Sequence, residues 1–143
     1  MMEDIEMIKQ LKARYFRTMD TKDWTAMRQV FTDDVVIDTT GSGGPVVVGA
    51  DEFLAYVQTR LQDAVTVHHG HMPEIEITSP STARGIWALQ DVILQPDGSR
   101  MQGYGHYHET YELVGDAWKI KSSTLTRLHL EFTGPESQGE TNG

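Results

Sequence analysis

Ile5, Ile8, Leu11, Tyr15 and Met19 recur at steps of three and four, which predicts a helix over about residues 3–19 with these side chains on one face. Lys9, Lys12 and Arg17 read as its other side, and Glu3 and Asp4 fall in the first turn, where the helix dipole favours negative charge. A break follows at residues 20–23. Asp23 is placed to cap a second, shorter helix carrying Trp24, Met27, Val30 and Phe31. Val35-Val36-Ile37 and Val46-Val47-Val48 read as short strands that can pair as a hairpin around the Gly-rich turn of residues 39–45. Gly49-Ala50-Asp51 opens a third helix, with Asp51 as its N-cap and Phe53, Leu54, Val57 and Leu61 as its buried face.

From residue 65 the period changes from helical to alternating. Four long extended segments are predicted, over residues 65–77, 82–94, 101–114 and 118–132. The turns between them carry Ser79-Pro80-Ser81, Pro96-Asp97-Gly98 and Gly115-Asp116. Short connections make neighbouring strands antiparallel. Helices first and long strands after is an α+β pattern. Strands of this length must twist and coil. Three N-terminal helices on a strongly curved, mainly antiparallel sheet make a cone with an apolar pocket, a place where small ligands bind. The expected organisation is one domain over residues 1–133 and a polar, disordered tail over 134–143.

Composition narrows the function. The chain carries a formal charge of −9, and Glu136 and Glu140 supply two of those charges. An acidic body argues against nucleic-acid phosphates and anionic membranes as partners. There is no cysteine, so disulfides and thiolate metal sites are excluded. The acidic start lacks the pattern of a signal peptide, and no apolar run approaches the roughly 20 residues of a membrane helix. A cytoplasmic location is the expectation.

Candidate chemistry gathers around Thr66-Val67-His68-His69-Gly70-His71-Met72-Pro73, three histidines in four positions beside a glycine and a proline that predict a bulge. A histidine titrates near neutral pH and suits proton transfer. Ala83, Gly85, Trp87, Leu89 and Asp91 share one face of the next strand, and Gly105, Tyr107, Glu109 and Tyr111 one face of the third. Arg127 lies on the last strand, where simple pleating puts it opposite Leu128, Leu130 and Phe132. His106-Tyr107-His108 followed by Glu112 has a cupin-like metal spacing. The flanking glycines of that pattern are Arg100 and Lys119 here, so no metal is expected.

Tyr15-Phe16-Arg17-Thr18-Met19-Asp20, Trp24, Phe31-Thr32-Asp33-Asp34, the histidine stretch and Gly115-Asp116-Ala117-Trp118-Lys119-Ile120 together resemble the SnoaL-like branch of the nuclear-transport-factor-2-like superfamily, over about residues 3–132. That resemblance implies the cone fold. Within the branch the pattern resembles the bile-acid 7α-dehydratases and, more distantly, the scytalone dehydratases. It implies catalytic roles for Tyr15, Asp20, His68, Asp91 and Arg127. His69 and His71 offer alternative registers for the histidine. The implied function is a cofactor-independent hydro-lyase for an apolar polycyclic or aromatic hydroxy or keto substrate, with His68 as base and Asp91 holding its other ring nitrogen. Tyr15 would donate to the substrate oxygen, Asp20 would orient Tyr15 or a water, and Arg127 would meet developing negative charge. Met72, Trp87, Leu89, Tyr107 and Glu109 are the expected walls. A steroid-isomerase-like enzyme is the alternative, although its base would fall at Thr39, with Asp38 one residue early. A non-catalytic ligand-binding module on the same fold is another. The exposed sheet face is expected to make a homodimer or homotrimer.

Overall fold

The computed structural model describes residues 2–135. Helix α1 (Met2–Asp20) and the short α2 (Trp24–Arg28) lead into β1 (Phe31–Asp38); a 3-10 turn (Thr40–Ser42) and β2 (Val46–Val48) precede α3 (Ala50–Leu61). Four long strands follow: β3 (Val65–Ser79), β4 (Thr82–Leu94), β5 (Arg100–Val114) and β6 (Ala117–Thr133). They form one sheet in the order β2-β1-β6-β5-β4-β3. All neighbours are antiparallel except β1 and β6, which run parallel. The sheet is curved and unclosed, with the three helices packed on it, and the α+β cone expected from the sequence is the fold.

The core fills the space between α1 and the concave face. Ile8 and Leu11 of α1, Met27 of α2, and Phe31, Val35 and Ile120 of the sheet are all buried. Four local readings are corrected. Phe31 opens β1 instead of closing α2, because Val30 N–H turns back to the Met27 carbonyl and Val30 C=O accepts from Ile120, which starts the sheet ladder there. The residue capping α3 is Gly49, at φ 101°, while Asp51 lies in the first turn and accepts from Arg28 Nε at 2.8 Å. Lys12, read as outward-facing, is fully buried. Arg127 faces inward, because the ladder shifts between its pairing with Gly105 and the pairing of His129 with Tyr104. Leu128 is the extra residue of that bulge and is 76% exposed, so the alternation changes phase across it.

Among the described residues no helix is long and apolar enough to cross a membrane. The expected tail falls outside them from residue 136; Gly134 and Pro135 are exposed and in no regular element.

Candidate active site

One cavity of about 850 Å³ opens inside the cone, lined by Tyr15 and Met19 of α1, Phe53 and Val57 of α3, and inward residues of the long strands. His68, Asp91, Tyr107 and Arg127 border the same space. The polar groups therefore meet on a largely apolar wall.

His68 faces inward by the pleat of β3, opposite Asp91 in the β3–β4 register. His69 pairs with Gln90 and His71 with Ala88, so both point to the outer face. The Met72–Pro73 irregularity comes after His68, between the His71 and Glu74 pairings, and does not set its direction. Met72 lies at φ 50° and is 75% exposed, outside the cavity it was expected to line.

The partner of His68 is Asp20, not Asp91. His68 Nδ1 lies 2.7 Å from Asp20 Oδ1, and the His68 backbone N–H donates to Oδ2 at 2.8 Å. Thr66 Oγ1 adds a third donor to Oδ1 at 2.9 Å. An ionised carboxylate can only accept, so Nδ1 carries a proton, and in the neutral imidazole that leaves the lone pair on Nε2. No described residue bonds to Nε2. Asp20 reaches this place as the last residue of α1, where the chain turns out through Lys22 at φ 62°. The Phe16 ring stacks beside the imidazole, centroids 6.3 Å apart.

Asp91 is instead held by Arg127, with Nη1 and Nη2 donating to its two oxygens at 2.7 and 2.9 Å. The two residues sit on β4 and β6, with β5 between them. The lane across β5 is open because the residue opposite Asp91 is Gly103: a Cβ there would lie 2.3 Å from Arg127 Nη1 and 2.8 Å from Asp91 Oδ1. A two-pronged guanidinium outcompetes a neutral imidazole for a buried carboxylate. Arg127 Nε donates to Ser42 Oγ at 2.6 Å, which ties the Gly-rich turn to the cavity rim. One N–H on each terminal nitrogen is left without a described partner.

Tyr15 and Tyr107 meet edge to face, ring centroids 5.9 Å apart. Burial, then the charge of Glu109, pushes the Tyr15 phenol up, and burial followed by Tyr15 does the same to Tyr107. Both therefore remain neutral hydroxyls at ordinary pH. Three expected wall residues lie behind the cavity surface. Leu89 is buried in the core, and Trp87 Nε1 donates to Tyr111 OH at 3.0 Å. The Glu109 carboxylate is enclosed, accepting from Lys12 at 2.6 Å and from Tyr111 and Ser123 at 2.8 Å each. Sequence reading missed Lys12, although steps of four, three and four through Ile8, Lys12, Tyr15 and Met19 place it on the buried stripe.

Asp38 also borders the cavity. The side chain and then the backbone N–H of Thr40 hold its carboxyl below the usual carboxylate range. Thr39, the other position considered for an isomerase base, spends its hydroxyl on the Pro45 carbonyl. Among the described residues no cluster of three or more His, Cys, Asp or Glu is placed to hold a metal ion. The site residues offer an acid/base pair, a neutral phenol and a braced guanidinium, and they gather no ligand set.

Comparison with known proteins gives the same architecture. The probable cyclase FGR4 of Gibberella zeae is 24% identical over 142 residues, covering 91% of this chain and 95% of that protein. A candidate aromatic ring hydroxylase from Novosphingobium aromaticivorans superposes with a TM-score of 0.87 at 24% identity, over 93% of this chain and 95% of its own. The hexachlorocyclohexane dehydrochlorinase LinA-type3 of Novosphingobium barchaimii superposes with a TM-score of 0.80 at 15% identity, over 93% and 92%. At these identities the likeness is one of fold, and the names span different chemistries. The SnoaL-like domain profile matches residues 1–124, and the chain belongs to the SnoaL-like domain family.

Proposed function

We propose that this protein is a cofactor-independent hydro-lyase that removes water from an apolar polycyclic or aromatic β-hydroxy ketone. The observation that carries the reading is the Asp20–His68 pair, whose unbonded Nε2 belongs to a side chain bordering an apolar cavity beside Tyr15. Asp20 fixes the tautomer and stabilises the imidazolium that forms. Nε2 takes the proton next to the substrate carbonyl. The electron pair of that C–H bond becomes the new C=C bond as the C–O bond breaks. The departing hydroxide takes the proton back from the imidazolium and leaves as water, which restores neutral His68. Tyr15, kept neutral by burial, donates to the carbonyl oxygen as negative charge grows on it. Arg127, braced by Asp91 and Ser42, turns its remaining N–H groups toward the same charge.

The isomerase reading is weaker because Asp38 is already engaged by Thr40, and a carboxylate stabilised as an anion is a poor base. A probe for the elimination is 3-hydroxy-1-tetralone, which gives fluorescent 1-naphthol after losing water. The wild-type chain is expected to accelerate that loss, and His68→Ala to remove about 10²–10⁴ of the acceleration. Equal rates for wild type and His68→Ala would sink the assignment. Turnover of a β,γ-unsaturated ketone to its conjugated isomer, with mass unchanged and no loss of water from the tetralone, would favour the isomerase, and binding of the tetralone without turnover would favour the ligand-binding module.

A further inference from the structure

Lys12 and Glu109 are buried charges that the reaction outlined above does not use. Both side chains are wholly enclosed, and Lys12 Nζ lies 2.6 Å from Glu109 Oε2. The same ammonium stands 3.8 Å from the centre of the Tyr15 ring and 3.7 Å from that of Tyr107, with Phe16 at 4.9 Å. Both tyrosines border the cavity, and so does Ser123, which donates to the same Glu109 oxygen. Behind the carboxylate, Tyr111 donates to Glu109 and Trp87 to Tyr111. The carboxylate is thus filled from three sides. The ammonium has one oxygen partner, and its remaining charge is turned onto aromatic faces.

Stability alone does not account for a lysine here. Burying an ion pair rarely beats a well-packed apolar pair of the same volume. Position 12 lies in a stripe of Ile8, Leu11, Tyr15 and Met19, where methionine would fit the pattern. What a methionine could not do is set a charge against two ring faces at once. One ring comes from helix α1 and one from strand β5, and both belong to the cavity wall.

We propose that Lys12 is a positioning residue: anchored by Glu109, its ammonium clamps Tyr15 and Tyr107 against each other and polarises the Tyr15 phenol as a donor into the cavity. The catalytic consequence rests on Tyr15 being the donor in the proposed elimination; the clamp itself does not. Lys12→Met alone would strand the Glu109 carboxylate in the core and is expected to fold poorly. The working variant is therefore Lys12→Met/Glu109→Gln, which removes both charges and keeps an amide for Tyr111 and Ser123.

The test uses the full chain labelled with ¹³C-tyrosine, its signals assigned through Tyr15→Phe and Tyr107→Phe. In the wild type the two edges of the Tyr15 and Tyr107 rings should give separate signals, because a clamped ring flips slowly. In the double variant the edges should merge and the Tyr15 ζ-carbon signal should move. On 3-hydroxy-1-tetralone, kcat should fall roughly tenfold or more with KM little changed, short of the about 10²–10³ lost when a donor itself is removed. Wild-type rings that already flip fast would overturn the proposal without any variant. A folded double variant with wild-type ring signals would overturn it too, leaving Lys12 a merely structural residue. The ring measurement needs no turnover, so a protein inactive on the probe defeats the elimination reading while the ring signals still decide for or against the clamp.

Discussion

Gly103 decides which charges pair in the cavity. By leaving β5 bare opposite Asp91, it lets Arg127 reach over one strand to another. Gly103→Ala would put a Cβ into the guanidinium. Breaking a buried pair by displacing one partner typically costs about 3–5 kcal/mol, and part of that should appear as a lower urea midpoint. A Gly103→Ala protein as stable as wild type would mean that the pair can re-form elsewhere. Asp20 makes a second prediction at this scale. Asp20→Asn removes the negative charge and one of the two acceptor oxygens that take three donors here, so the amide group must face either the His68 backbone N–H or Nδ1 with donors of its own; its rate loss on the tetralone probe should approach that of His68→Ala, within the about 10²–10⁴ range. His69→Ala, on the opposite face, should leave the rate near wild type. An Asp20→Asn rate close to wild type would remove the pair from the mechanism. Alternation placed Asp91 on its strand face, the set of Tyr15, Asp20, His68, Asp91 and Arg127 came from the family resemblance, and for Arg127 simple alternation pointed the wrong way. Their pairing was not legible: it depends on the bare lane at Gly103 and the extra residue at Leu128, and alternation registers neither. Lys12 was misread because a charged type was allowed to outvote a helical phase that put it inside.

The site is held between elements by the seam of α1 against β3. Phe16 stacks on His68, and it can do so because the facing strand residue is Gly70, where a Cβ would lie 2.5 Å from the Phe16 ring. Gly70→Ala should push the ring off and move the imidazole it flanks. We expect a loss of about 1–3 kcal/mol from overpacking, with a fall in probe turnover. An unchanged melting curve would show that the seam has slack. Helix period, strand alternation and turn chemistry located each helix and long strand, because each reports a strong local preference. The ends were less legible. Val30 and Phe31 continue the apolar spacing of α2, yet Phe31 leaves it because β6 offers a ladder partner in Ile120. No local pattern contains that partner, which lies far along the chain.

At the scale of the whole molecule, the cone keeps three tyrosines protonated in its core. Burial is the main cause in each; the charge of Glu109 adds to it for Tyr15 and Tyr111, and Tyr15 adds to it for Tyr107. Each has its folded pKa raised above the ordinary 10.0. As pH rises past that value the unfolded chain releases three protons that the folded chain retains. Stability is therefore intact below about pH 10 and falls above it. Each group contributes about 1.4 kcal/mol per pH unit, so the three together take roughly 4 kcal/mol per unit. Lys12 acts with the opposite sign. Burial lowers its pKa from 10.5, so the unfolded state holds its proton more firmly and stability gains with pH until that value is passed. Above about pH 10.5 the opposing contribution of Lys12 is complete and no longer grows. Against a typical total stability of about 5–15 kcal/mol, one to a few units beyond that point should unfold the chain. Urea midpoints at pH 8, 10 and 11 would show a shallow change and then a steep drop. In a Tyr56→Phe/Tyr104→Phe background, which leaves only the three core phenols of the chain's five, tyrosinate absorbance should rise together with loss of circular dichroism, since those phenols ionise only when the cone opens. Tyr111→Phe should reduce the steep slope by about a third. A midpoint unchanged from pH 8 to 11, or tyrosinate appearing well before unfolding in that background, would mean that the folded cone admits water to its core phenols.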